Sequence, residues 1–323
     1  MKTKSTTICR LCLGLGLCIS SFLQSRALGD EKQERDLFNY AAQRDAQKLH
    51  KVVFVADTGD HGSRGSHEFM AAAIYLARTI NAQYPSAYAV VHTRAKWPKD
   101  LKHADTIIVL LNHGGSAVNP AVKEAMARGA NFMAIHYGVE VNKGEEGKHY
   151  LQWLGGYFEP FYSVNPTWVP DFKEMPAHET TRGVKPFAIE DEWYYHMRFV
   201  DGMKGVTSIL AALPPLKTIQ GDGKKAISHG GNAEVWADVS AGKKQAMAWA
   251  FERPDGGRGF GFTGLHKHSN LGNDNFRTLL LNAVAWVSKL EVPAAGVPSK
   301  NLSRDDLERL IDEGKLAVKR RGI

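Results

Sequence analysis

The chain has 323 residues, 43% of them hydrophobic and 23% charged, proportions that exclude a disordered or fibrous protein and allow a sizeable core. Its formal charge of +7 comes mostly from the ends, with Lys2, Lys4, Arg10 and Arg26 on one side and Lys319, Arg320 and Arg321 on the other. The remainder is close to neutral and carries no dense Lys/Arg stripe, which argues against nucleic-acid binding.

Residues 1–29 have the order of an export signal: a basic start, an apolar run over 11–23, and Ala27-Leu28-Gly29 or Ser25-Arg26-Ala27 to supply the small-residue cleavage site. The run is too short for a membrane span, and no other stretch reaches the roughly 20 apolar residues a span needs. Bulky Leu17 before Cys18 argues against lipid attachment. A periplasmic or secreted protein is therefore expected. Cys9, Cys12 and Cys18 are the three cysteines and all lie in this segment. The mature chain would hold no disulfide, no thiolate ligand and no cysteine nucleophile, so any metal must be bound through nitrogen and oxygen.

Residues 30–50 read as a polar leader with an amphipathic helix. The compact apolar run 51–56 is a first core strand. It opens into a Gly-rich loop bearing His61 and His67, after which Ser66 offers an N-cap for a helix carrying Phe69, Ala73, Leu76 and Ile80 at helical spacing. The loop fits neither the dinucleotide nor the P-loop pattern. Strands follow at 88–93 and 106–111, a helix at 120–128, and a further strand that breaks after Ile135 into His136, Tyr137, Gly138, Val139 and Glu140. Strand and helix alternating at these lengths predict right-handed βαβ units and a parallel, doubly wound sheet. Ligands bind at the C-terminal strand ends of such sheets, which makes the His136 turn a candidate working surface.

Beyond Glu140 the chain becomes aromatic and turn-rich, over 155–168 and again over 189–199. Strand-like runs return at 206–213, 246–251 and 259–265. A helix over 274–290 keeps Phe276, Leu279, Leu280, Ala283, Val284 and Val287 on one face. A Pro-flanked linker (293–298), a short helix over 305–313 capped by Ser303, and a basic tail complete the chain. No internal repeat is present.

Five runs carry a resemblance: Gly-Gly-Tyr-Phe-Glu-Pro at 155–160, Thr-Arg-Gly-Val-Lys-Pro-Phe at 181–187, Asp-Glu-Trp-Tyr-Tyr-His-Met-Arg-Phe at 191–199, and the stretches 252–264 and 275–286. Together they resemble the ThuA-like (trehalose-utilisation) family. The resemblance implies an α/β, flavodoxin-like, doubly wound parallel sheet of the class I glutamine amidotransferase type, in one domain over 51–290 with aromatic-rich insertions and with 291–323 as linker and helical tail. It also implies a place in carbohydrate catabolism, beside sugar oxidoreductases that make 3-keto-glycosides. In the amidotransferase pattern the strand-end turn presents a nucleophilic cysteine. Here His136 takes that place, so thioester chemistry on glutamine is excluded.

The chemistry left is acid–base or metal-assisted. His61, His67, His136 and His266 come from three strand-end segments and are the candidate ligands for a divalent metal such as zinc, which accepts imidazole and carboxylate donors. His136, Glu192 and His196 are the candidate acid–base residues. Trp193, Tyr194, Arg198, Tyr137 and Glu140 are the candidate sugar contacts, aromatic faces for the ring and charged groups for its hydroxyls. A single loop histidine is more often a surface hydrogen-bonder, and His50, His92, His103, His149 and His229 are assigned to that class, with His113 intermediate. Trp168, Trp236, Trp249 and Trp286 are expected in the core. Two functions compete. One is an exported hydrolase, lyase or isomerase acting on a sugar or keto sugar; the other is a non-catalytic carbohydrate-binding or accessory protein.

Overall fold

The structure is a computed structural model and describes residues 35–58 and 61–320; the export signal expected at 1–29 lies outside them. Seven strands form one sheet: β1 (His50–Ala56), β2 (Ala87–Thr93), β3 (Thr106–Leu110), β4 (Asn131–Ile135), β5 (Val206–Ala212), β6 (Gln245–Glu252) and β7 (Arg258–Phe262). Their order is β5-β6-β7-β4-β3-β1-β2. All pairs from β2 to β7 are parallel. The sub-order β2-β1-β3-β4-β7 is that of a flavodoxin-like, doubly wound sheet. Each parallel strand is apolar almost throughout because both faces are covered.

The helices are α1 (Tyr40–Asp45), α2 (Phe69–Gln83), α3 (Pro120–Ala127), α4 (Glu145–Leu154), α5 (Ala233–Ser240), α6 (Asp274–Val287) and α7 (Arg304–Arg320). Strand alternation sorts the core into two layers. Val52, Phe54 and Ala56 pack with α2, α6 and α7 on one face, whereas Val53 and Val55 pack with α3 and α4 on the other. The described residues form one compact unit.

Three expectations are corrected. The run near 246 does not extend the parallel sheet, since β6 pairs antiparallel with β7, and β5 joins only through an antiparallel pairing with β6 that returns it to the direction of the other strands. Only residues 253–257 link β6 to β7, too few for the crossover that a parallel pair needs, which takes a dozen or more. Ser66 does not cap α2, whose N-cap is Glu68 without a side-chain bond. Instead Ser66 bridges to Lys267, and the His67 N–H donates to the His266 carbonyl at 3.0 Å. Finally, the last helix runs on to Arg320 and packs on α2, burying Leu307, Leu310, Ile311 and Gly314.

The aromatic insertions between α4 and β5 carry short antiparallel pairings: Gly156–Tyr157 with Arg198–Phe199, Thr167–Trp168 with Asp191–Glu192, and Asp171–Phe172 with Phe187–Ala188. The middle pairing brings Glu192 to the sheet edge described next.

Candidate metal centre

In register, Ala56, Leu110, Ile135 and Phe262 stand level across β1, β3, β4 and β7. The residues following them therefore emerge at one edge. His136 comes directly after β4, His266 four residues after β7, and His67 at the end of the loop after β1. His67, His136, His266 and Glu192 each point one donor atom inward, and the four atoms lie within 4.8 Å of one another. Backbone strain concentrates here: His67, His136 and Leu265 have φ of 52°, 53° and 85°, a left-handed region that non-glycine residues seldom adopt.

The orientation of the rings follows from what they hold. His136 is fully buried, and its Nδ1 lies 2.8 Å from the Thr263 carbonyl. A carbonyl only accepts, so the ring donates from Nδ1 and keeps Nε2 basic, 3.4 Å from Glu192 Oε2. His67 repeats the pattern. Its Nδ1 donates to the His61 carbonyl at 3.1 Å, and its Nε2 sits 3.0 Å from His266 Nδ1. Glu192 Oε2 is also 3.3 Å from His266 Nδ1. Metal-binding histidines are held in this way, the outer nitrogen donating to a carbonyl while the inner one faces the ion.

Electrostatics favour the same protonation states. Burial, with help from the neighbouring histidines, pushes His67 down to about 4, so it is neutral at physiological pH. Burial pushes Glu192 upward, but the adjoining His136 and His266 rings outweigh it and hold the carboxyl at about 2. A neutral imidazole and an ionised carboxylate are the ligand forms of these side chains. Tyr194, whose hydroxyl is 3.3 Å from both His136 Nε2 and Glu192 Oε2, is kept protonated by burial first and by Glu192 and Glu140 second.

Asp191 supports the arrangement from below. Fully buried, it accepts from the Leu265 N–H at 2.7 Å, the Lys267 N–H at 3.1 Å, the Glu192 N–H at 2.9 Å and Asn270 Nδ2 at 2.9 Å. It thereby ties the His266 segment to the strand that carries Glu192.

The other residues singled out from sequence fall in different places. His61 stacks on His67 at 4.1 Å between ring centroids and offers it a carbonyl, but it is not one of the four donors. Tyr137 stands edge-on to His61 and Tyr194, as a wall of the site. Glu140 is buried and bonded to His229. Trp193 is not a sugar platform: its ring is fully buried among Phe172, Phe262 and Phe276 and lies on Gly264, where any Cβ would come within 2.7 Å of the indole. Its neighbours Glu192 and Tyr194 point to the other side, as strand alternation requires. His196 and Arg198 belong to a separate group. His196 bonds the Tyr162 carbonyl at 3.0 Å and faces Asp238, while Arg198 pairs with Glu159 and lies 3.3 Å over the Tyr162 ring. Both are committed to holding the insertion together.

Sequence reasoning missed His229 and Asn165. His229, assigned to the surface class, is instead paired with buried Glu140, and Asn165 donates to Glu192 Oε1 at 3.3 Å. The only signal for His229 was its place before two glycines, Gly230 and Gly231. A surface cavity of about 590 Å³ lies at the other end of the sheet, among segments preceding β4 and β7 such as Met126 and Arg253, and contains none of the four donors.

Among solved structures, the fold is similar to a putative ThuA-like protein from Bacteroides uniformis (TM-score 0.48, 16% identity, 75% of this chain and 92% of that one). It is also similar to one from Parabacteroides merdae (TM-score 0.47, 13% identity, 80% and 94%). A putative GMP synthase component from Thermoplasma acidophilum matches with a TM-score of 0.36, at 11% identity, over 74% and 96%. No curated protein matches the chain. The family model described as trehalose utilisation matches residues 51–287, more than half of the chain and all four donors, so the chain belongs to the ThuA family.

Proposed function

We propose that this chain is a metal-dependent enzyme of carbohydrate utilisation that acts on a sugar or keto sugar, with His67, His136, His266 and Glu192 as the metal ligands. The observation that carries the reading is the convergence of four donor atoms from four segments of the chain. Bonds of about 2.0–2.2 Å to such donors place neighbouring ones roughly 3–3.5 Å apart on a shared ion. Three of the six separations, at 3.0, 3.3 and 3.4 Å, fall in that range, and all six are within 4.8 Å. Three imidazoles and one carboxylate suit zinc or another divalent ion of the first transition row. Such an ion would polarise a carbonyl or hydroxyl oxygen of the sugar.

The chain's own groups divide the remaining work. Glu192 and His266 are the partly exposed members of the set, so the substrate would approach from their side. Tyr194, protonated and aimed at the same point, would donate a hydrogen bond to an oxygen bound there. Tyr137 would line the approach. Membership of the ThuA family supports the sugar, and the four-donor group is what favours an enzyme over a binding protein.

Metal analysis of the purified protein should find about one divalent ion per chain. His136→Ala should keep the fold, lose the ion and lose any conversion of 3-keto-glycosides, followed by NMR. A wild type that stays metal-free after incubation with zinc, manganese or cobalt, or a His136→Ala variant that binds as well as wild type, would overturn the reading.

A further inference from the structure

Glu140 ends the turn after β4 and is 3% exposed, and both of its oxygens lie 2.9 Å from Nε2 of His229. The other ring nitrogen, Nδ1, is 2.8 Å from the Ser228 hydroxyl. The His229 side chain is 29% exposed. A buried carboxylate behind a partly exposed imidazole is the arrangement that orients a ring for proton transfer, here with one nitrogen fixed by the carboxylate and the other in contact with the Ser228 hydroxyl.

The pair sits beside the metal centre rather than in it. The His229 ring lies flat on Phe158 at 5.1 Å, and Phe158 meets Tyr194 edge-on at 5.2 Å. Tyr194 in turn touches His136 and Glu192. Asn165 closes the other side, its N–H donating to the His229 carbonyl at 3.2 Å and its Nδ2 to Glu192 Oε1 at 3.3 Å. One asparagine thus spans the distance between the two groups. His229 has φ of 63°, held by the backbone bridge between Ile227 and Gly231. Strain of this kind persists only where the surroundings over-determine it, and it gathers at functional sites.

We propose that Glu140 and His229 are the proton-transfer pair of this site, serving the sugar held at the four-donor group. The proposal rests on the metal reading and adds to it the residue that supplies the proton. In the step, the Nδ1–H bond of the His229 imidazolium breaks with its electron pair staying on the ring, Ser228 Oγ takes that proton, and the Ser228 hydroxyl releases its own. The proton joins an alkoxide or enolate oxygen of the substrate to give a hydroxyl or enol. Glu140 remains ionised, the ring becomes neutral, and solvent returns the proton. Glu140 is the positioning residue and does not itself transfer the proton.

The charged groups acting on the ring are Glu140, in contact, and Glu192, farther off. The hydrogen bond to Glu140 raises His229 above the ordinary histidine value, against the opposing effect of burial, and Glu192 adds to the rise. The imidazolium is therefore favoured toward neutral pH. With a raised folded value, the pair's contribution to stability is full below the ordinary histidine pKa and is lost as pH rises through the raised one.

The test uses the full-length protein loaded with zinc. Ring-proton NMR should show His229 titrating above about 6.5, the unperturbed histidine value, and Glu140→Gln should bring it back down. His229→Gln should keep the metal content and, at pH 9, the wild-type melting temperature. It should nonetheless lower kcat on a methyl 3-keto-glucoside by about 10²-fold or more, with partial rescue by added imidazole. An ordinary titration of His229, a His229→Gln variant with unchanged kcat, or one that loses its metal would overturn the proposal. The titration needs neither substrate nor metal. A wild type that binds no metal therefore defeats the metal reading, whereas an ordinary His229 titration defeats the pair.

Discussion

Asp191 and Glu192 are adjacent acids with opposite duties. Glu192 turns toward the histidines, whereas Asp191 turns inward and accepts four hydrogen bonds, two on each oxygen. Asn at 191 would be the same size, but its amide nitrogen would face two donors whichever way it turned. Leaving buried donors unpaired costs about 1–3 kcal/mol each. Asp191→Asn should therefore destabilise the protein by about 2–4 kcal/mol. It should also weaken metal affinity by about 10–100-fold, the usual effect of losing a group that orients ligands. Thermal unfolding and a metal titration measure the two separately, and unchanged affinity would mean that the His266 segment is held by other bonds. The sequence made the acidic-aromatic run 191–199 visible, but it could not say which side chain faced the site. Alternation around a two-residue strand, followed by a left-handed His196 at φ of 59°, sent Trp193 to the core and His196 to a different cluster.

At the level of elements, the parallel strands were legible because each is a short apolar run bounded by turn residues. β1, β2, β3 and β4 fall within a residue or two of the expected limits. Direction was not legible for β6, since an apolar run buried on both faces looks alike either way. α4 escaped because it begins at Gly144, which provides no side-chain cap, and carries Gly147 inside it. α7 was legible as a helix but not as a packed one, its apolar positions being spread among charges. Yet it grips the segment leading to His67, since Arg64 reaches both Glu308 and Asp312 at 2.8 Å and Arg78 pairs with Glu313 on the same face. Gly314 is where the two helices come closest, and any Cβ there would stand 2.9 Å from the Ala71 backbone nitrogen. Gly314→Val should push α7 off α2 at a cost of about 1–3 kcal/mol, the usual range for overpacking. Arg64→Ala, at an exposed ion pair, should cost at most about 1 kcal/mol. Urea unfolding of both variants tests the ranking, and an Arg64→Ala loss larger than that of Gly314→Val would contradict it.

Across the whole molecule, the four-donor group joins segments far apart in the chain: His67 after β1, His136 after β4, Glu192 on the insertion and His266 after β7. No spacing rule in the sequence links such positions. What made three of the four foreseeable was topology alone, since strand ends in a doubly wound sheet share an edge. The insertion's contribution was read from composition, and its reach over that edge depends on the pairing of Thr167–Trp168 with Asp191–Glu192. An ion shared by these segments would bind the native chain and not the unfolded one, so it would act as a cross-link through mass action. At a free concentration one hundred times its dissociation constant it stabilises by about 2.7 kcal/mol. For one compact unit of nearly 300 residues, each kcal/mol moves Tm by about 1.5–2 °C. Chelation should thus lower the wild-type Tm by about 4–5 °C, and returning the ion should restore it. His136→Ala should melt at the same temperature with and without the chelator, because its site no longer responds. Asp191→Asn, with ligands present but loosely held, should show a smaller chelator shift than wild type at the same free metal. A wild-type Tm indifferent to both chelator and added ion would show that the four donors hold one another by hydrogen bonds alone.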